Sequence, residues 1–384
     1  METAAPASPT TPLSTGFRLL RTGEEGLRRM LHSIQSARES VRLETYIYDS
    51  SPVGERFRAA LVQACQRGLR VEVIVDAMGS VNLSDSFWDP LRQAGGKFAW
   101  FNPITLRRWS YRDHRKMVIC DNQMAFIGGF NIAAEYDGDG VAEGWRDLGL
   151  EITGAPVREL ASSFDEFFSR ADFQHPRLQR LRRAPNKVAA GPNWQLLLNG
   201  PGRQDNVLRA TLAGDLSTAR SVQIISAYFL PTRRLRNALS QVVASGGRVQ
   251  LILAGKSDVL LSQLASRRLY RIFLRAGVEI YEYQPQILHA KLFIMDNTVY
   301  VGSANLDIRS LRINYELLAR VVDPRLAEKA RELFQNDLPH CRRIDPVTWN
   351  KSRTFWGKLR EDWAYFLLAR IDPYVARQQW KAFR

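Results

Sequence analysis

The feature that most limits how this chain can fold is that it repeats itself at long range. In the first copy, Leu27–Ala37 has helical spacing, and Val41–Tyr48 is an apolar, β-branched and aromatic run suited to a buried strand. Ser50–Gly68 reads as a second helix, opened by Ser-Ser-Pro and closed by glycine. Leu69–Val75 and Phe98–Phe101 read as strands, and then comes His-Arg-Lys-Met-Val-Ile-Cys-Asp, His114 to Asp121. The second copy runs the same course. Leu208–Ala219 is a helix, Val222–Leu230 a strand and Pro231–Ser245 a helix; Val249–Ala254 and Val278–Tyr283 are strands, and His-Ala-Lys-Leu-Phe-Ile-Met-Asp, His289 to Asp296, follows. Matching points (Val41 with Val222, Val71 with Val249, Asn131 with Asn305) lie about 174–181 residues apart. Strands alternating with helices in both copies predict an α/β fold of parallel units.

The duplication sets the boundaries. Residues 17–176 form one half and 194–340 the other, with Val157–Arg170 and Arg325–Asp337 as matching helices. Residues 177–193, basic and then Gly/Pro-containing, read as a linker. Residues 1–16, rich in Ala, Pro, Ser and Thr, have neither the basic nor the apolar region of a secretory signal and read as a disordered tail. A basic, tryptophan-rich tail spans 341–384. Three cysteines in 384 residues imply no disulfide framework and favour a reducing compartment.

The two motifs carry the chemistry. His114, Lys116 and Asp121 are followed by Gly128-Gly129-Phe130-Asn131; His289, Lys291 and Asp296 by Gly302-Ser303-Ala304-Asn305. Substitution at a phosphodiester needs a nucleophile that also leaves well and an acid for the departing oxygen, and two imidazoles supply both. Two lysines, with Asn131, Asn305 and Ser303, are candidates to hold the phosphate oxygens. On a strand, His and Lys at i and i+2 point to one face, so the spacing aims both at one phosphate. Asp121 and Asp296 belong to the motif, though ending a strand and capping its turn suits them better. His32, His175 and His340 stand in no such pattern and read as structural.

The paired H-x-K-x4-D motifs and their G-[GS]-x-N tails resemble the phospholipase D superfamily. That resemblance implies a duplicated α/β/α sandwich, two halves about a pseudo-two-fold axis, with one active site and no cofactor or metal. The second copy has five residues, not six, between Asp296 and Gly302, read as a shortened hairpin at Asn297-Thr298. The resemblance also implies that an acid about thirty residues after each motif orients each histidine. Asp147 and Glu316 are the matching residues, His114 is the nucleophile, and His289 the acid and then base. The stretches LETYIYDSSPVG, GGFNIAAEYDG and GSANLDIRSLRINYEL are similar to bacterial cardiolipin synthases of the short type without N-terminal transmembrane helices. This implies a phosphatidyltransferase using phosphatidylglycerol. A hydrolase, either phospholipase or nuclease, using the same histidines remains open, whereas intact paired motifs argue against a non-enzymatic adaptor.

The charge fits that setting. Formal charge is +15, and no run approaches the ~20 apolar residues of a spanning helix. An anionic partner is expected: peripheral contact with acidic lipid on the cytoplasmic face of a bacterial inner membrane. The absence of any recognised nucleic-acid module disfavours nucleic acid. In the tail, Trp356, Leu359, Trp363, Phe366 and Leu367 share a helical face with Lys358, Arg360 and Arg370 at its margins, a pattern open to membrane insertion or to core packing. Arg107, Arg108, Trp109, Tyr111 and Arg112 precede His114 in an insert absent from the second copy, where they could grip a headgroup or single-stranded nucleic acid.

Overall fold

The computed structural model describes residues 14–103, 110–171, 187–201 and 206–381. Disorder in residues 1–13, most of the linker, and Arg107, Arg108 and Trp109 lie outside the described residues. The first half contains β1 (Gly16–Leu20), α1 (Gly23–Ser36), β2 (Ser40–Thr45), α2 (Pro52–Gln66), β3 (Arg70–Asp76), α3 (Asp89–Gln93), β4 (Lys97–Phe101), β5 (Met117–Cys120), β6 (Met124–Gly128), β7 (Gly149–Thr153) and α4 (Ala155–Ala171). The second contains β8 (Lys187–Ala190), β9 (Trp194–Asn199), α5 (Val207–Thr218), β10 (Ser221–Ser226), α6 (Arg233–Ala244), β11 (Arg248–Ala254), α7 (Leu260–Arg275), β12 (Glu279–Tyr283), β13 (Lys291–Met295), β14 (Thr298–Gly302), α8 (Ile308–Arg312), β15 (Glu316–Val322), α9 (Pro324–Asp337) and β16 (Cys341–Arg343). The tail adds α10 (Pro346–Ser352), α11 (Phe355–Phe366) and α12 (Asp372–Lys381).

The two sheets repeat one order. The first runs β1-β7-β6-β5-β2-β3-β4, and the second has β9-β15-β14-β13-β10-β11-β12 with β8 and β16 added at its edges. Within each, only three strands pair in parallel (β2-β3-β4 and β10-β11-β12); the rest are antiparallel. The sheets are therefore mixed rather than parallel. After each motif the chain turns back at once into a hairpin, too short for a helical crossover. The expected linker and tail boundaries also shift, because Lys187–Ala190 extends the second sheet beside β9 and Cys341–Arg343 pairs with β12.

Helices α4 and α9 pack in one core between the sheets, where Phe164 and Phe167 meet Ile119 and Leu150, and Leu333 and Phe334 meet Leu292 and Leu317. Each such side chain contributes about 1.5–3 kcal/mol on burial. The remaining helices cover the outer faces, α1 and α2 over the first sheet and α5, α6 and α7 over the second. Asp323 starts α9 by accepting the N–H groups of Arg325 and Leu326 at 2.8 and 3.2 Å. The result is two α/β/α layers joined by their inner faces.

Candidate active site

The two motifs begin where the halves touch. Asp113 bridges in parallel to Tyr315, and Arg146 to Leu288. His114 N donates to Tyr315 O at 3.0 Å, and His289 N to Arg146 O at 2.8 Å. The histidines are thus not on their own strands. β5 starts at Met117 and β13 at Lys291, and the segment ahead of each is held by the opposite half. The same lacing sets the start of β15 beside His114 and the approach to β7 beside His289.

It follows that each histidine takes its carboxylate from the other half. His114 Nδ1 lies 3.2 Å from Glu316 Oε2, and His289 Nδ1 lies 2.7 Å from Asp147 Oδ2. Both acids were expected at this work, but the pairing by nearness in sequence is corrected: Asp147 serves His289 and Glu316 serves His114. A carboxylate only accepts, so ionised Glu316 places the proton of His114 on Nδ1 and leaves its Nε2 lone pair free, while His289 Nδ1 lies between Asp147 and Lys291 Nζ, the latter at 3.0 Å. Lys116 Nζ donates to His114 O at 2.8 Å, and Lys291 Nζ to His289 O, which fixes both ammonium groups against their histidines.

All six groups are buried, and burial sets the direction in which all but Glu316 are shifted. It pushes both imidazoles below their usual range, His289 the further, and the lysine charges push the same way: Lys291 acts on His114, and Lys116 on His289. The two histidines therefore share one electrostatic environment. Burial brings Lys116 down to about 7 and raises Asp147 to about 6. Burial would raise Glu316 too, but the charge and hydrogen bond of His114, with the Ser303 hydroxyl, hold it down at about 2. The acids supporting the two histidines are thus unequal.

The remaining candidates act at one remove. Ser303 Oγ donates to Glu316 Oε2 at 2.5 Å, so it holds the carboxylate rather than a phosphate. Asn131 Oδ1 accepts from Ile47 N at 2.9 Å and its amide donates to Tyr136 Oη at 2.6 Å; Asn305 Oδ1 accepts from Tyr228 N at 3.3 Å. Both asparagines pin the chain leaving β2 and β10. Asp121 and Asp296 are not at the site. They sit past the far ends of β5 and β13, roughly 15 Å along the chain from the lysines. Asp121 accepts the N–H groups of Arg38, Glu39 and Ser40, and Asp296 those of Arg220 and Ser221. Arg112 is buried against Asp76 and the Asn102 carbonyl, so it offers no headgroup contact.

The aromatic wall of the site carries no motif. Tyr46 stands 5.2 Å from the His114 ring; Tyr136 and Trp145 stand 5.3 and 5.7 Å from that of His289. Asp258 bonds the Tyr228 hydroxyl at 2.6 Å and lends negative charge to His289 and Lys291. A tyrosine just past each β2-type strand end was the available signal; Asp258 had none. The halves differ most beneath the first motif. There Arg115 meets Glu44 at 2.9 Å beside Asp113, where the second half has Ala290, Ile225 and Leu288.

Two imidazoles, each backed by a carboxylate and flanked by a lysine, at the seam of a duplicated α/β/α sandwich define a phospholipase D-like protein. The family described as cardiolipin synthase, PLD-like domain, matches residues 30–170 and 215–338. The chain belongs to that family. It is 31% identical to cardiolipin synthase B of Escherichia coli (strain K12) over 368 residues, covering 94% of this chain and 89% of that one. It is 30% identical over 350 residues to cardiolipin synthase 1 of Bacillus cereus, covering 88% and 68%. The phosphatidylserine synthase of Haemophilus influenzae Rd KW20 has the same fold, with a TM-score of 0.74, 15% identity and 94% of both chains covered.

Proposed function

We infer that this chain is a phosphatidyltransferase that makes cardiolipin from phosphatidylglycerol through a phosphohistidine. The observation that carries this reading is the pair of crossed histidine–carboxylate contacts with both lysines buried beside them. The relatives' names give the lipid. His114 Nε2 attacks phosphorus, the bond to the glycerol oxygen breaks, and that oxygen leaves with the electron pair and takes the His289 proton. A second phosphatidylglycerol then gives its hydroxyl proton to His289 while its oxygen attacks phosphorus, and the P–N bond breaks. The sum is two phosphatidylglycerols to one cardiolipin and one glycerol. Burial disfavours a charged His289, and the anionic phosphodiester seated between the motifs restores it. Lys116 and Lys291 neutralise the non-bridging oxygens, work that metals do in other phosphoryl-transfer sites.

The setting is the surface of an anionic bilayer on the cytoplasmic side of the inner membrane of a bacterium. Net charge of +15 supports this, and among the described residues no helix is long and apolar enough to cross a membrane. The test is incubation with phosphatidylglycerol vesicles in EDTA, with lipids separated and acid-quenched protein mapped for phosphohistidine. Cardiolipin, glycerol and label on His114 are expected. Phosphatidic acid as the sole product means hydrolysis instead, label on His289 reverses the roles, and activity restored only by a divalent ion removes the lysine argument.

A further inference from the structure

Helix α11 is amphipathic the unusual way round. Its inward face carries Glu361 and Ala364, which are buried, and Tyr365, whose hydroxyl accepts from Arg236 at 3.1 Å; Asp362, near the edge of the outer face, is paired with Arg268 of α7. Its outward face carries Phe355, Trp356, Leu359, Trp363 and Phe366, all exposed, Phe355 at 73% and Trp356 at 69%. At 100° per residue these five fall within an arc of about 100°, and the exposed Lys358 and Arg360 stand one on each side of it. A helix already packed on the core has no internal use for a second apolar face flanked by cations.

Two further observations tie this face to the active site. Past α11 the chain returns to the first motif: Arg309 of α8 bonds Asp372 of α12 at 2.5 Å and the Ser110 carbonyl at 2.9 Å, and Ser110 N donates to Gln379 at 3.1 Å. At the other motif, Asp258 accepts from the Tyr228 hydroxyl at 2.6 Å, Tyr228 N donates to Asn305 at 3.3 Å, and Val259, Leu260 and Leu261, all exposed, follow Asp258 at the head of α7. Apolar surface is thus exposed both on the tail and at the head of α7, next to Asp258.

We propose that the outward face of α11, with the Val259–Leu261 rim, is a membrane-docking surface that seats the active-site mouth on an anionic bilayer. The occupant is a lipid surface because aromatics ringed by cations suit a headgroup–acyl boundary, where rings insert and cations meet phosphates. The proposal rests on the lipid reading of the site. It adds that the five outward side chains bind bilayer and touch no reacting atom, so the surface and the chemistry separate experimentally.

The experiment compares the full chain with the variant Trp356→Ala/Trp363→Ala/Phe366→Ala. Flotation on phosphatidylglycerol vesicles at low and high salt is measured beside turnover of vesicles and of a short-chain phosphatidylglycerol below its micelle concentration. The wild type is expected to weaken in high salt but stay bound, since insertion is not screened. The variant should lose that residual binding and vesicle turnover by about tenfold or more, with dispersed substrate turned over within about twofold of wild type. Undiminished high-salt binding by the variant overturns the proposal. So does light scattering that shows a wild-type dimer, lost in the variant, with no vesicle binding by either. Should the triple variant fail to fold, Trp356→Glu alone reads the same quantity. If docking behaves as expected but no cardiolipin forms from any substrate, the reaction assignment falls and the surface stands.

Discussion

Gly129 and Ser303 occupy matching places after the two motifs and do opposite work. A Cβ on Gly129 would stand 2.1 Å from Asp147 Oδ1, so only glycine leaves room for the short acid that holds His289. In the second half a longer acid, Glu316, takes the hydroxyl of Ser303. Gly129→Ala should therefore swing Asp147 off His289 and cost kcat about 100-fold with little change in melting temperature, since a 1 Å misplacement costs that much. An unchanged kcat means Asp147 is dispensable. The unequal acids also shape the pH profile. Asp147, raised to about 6, is protonated below that value, while Lys116, lowered to about 7, is cationic only below it. In the free enzyme kcat/KM should rise through about 6 as Asp147 ionises and fall through about 7 as Lys116 loses its charge, a narrow bell. Asp147→Asn should flatten the acid limb and Lys116→Arg should carry the alkaline limb upward. Glu316→Gln should lower the whole curve, because an acid at about 2 stays ionised throughout. An acid limb that survives in Asp147→Asn belongs to another group.

At the scale of elements, the motif aspartates hold the repeat's geometry. Asp121 and Asp296 take left-handed backbone, φ +55° and +50°, at the turn after β5 and β13 and tie two or three N–H groups of the chain entering β2 and β10. Asp296→Ala should cost about 1–3 kcal/mol in urea unfolding, with kcat of the folded fraction near wild type. Asp296→Asn should cost less, because Asn tolerates that φ. A large fall in kcat at full stability places Asp296 in the chemistry. The order of elements was legible because each apolar run had a counterpart in the other half at an offset of about 174–181 residues, as with Val41 and Val222. Strand direction was less so: hairpins after the motifs made the sheets mixed. Helix α7 went unread, since no glycine or proline opens it and the first half has only the short α3 there. The family resemblance pointed to Asp147 and Glu316 as acids about thirty residues after each motif, but it paired each with the wrong histidine. Which half a carboxylate faces depends on how two halves dock, and nothing in Arg146-Asp147 or Tyr315-Glu316 encodes that.

For the whole molecule, the site belongs to neither half. With both motifs in one chain, an equimolar mixture of His114→Ala and His289→Ala proteins should remain inactive, since each lacks one non-redundant histidine. Recovery to a substantial fraction of wild-type turnover means the halves of different chains assemble the site. The crossed carboxylates carry a consequence for descent. In a duplicated protein one copy is commonly free to decay while the other keeps the trade. Here a lesion near Glu316 disables the first copy's histidine, and one near Asp147 the second's, so each copy is hostage to the other's upkeep. The duplication cannot be undone by losing a half, and the two sequences must change in step at the seam while drifting apart everywhere else.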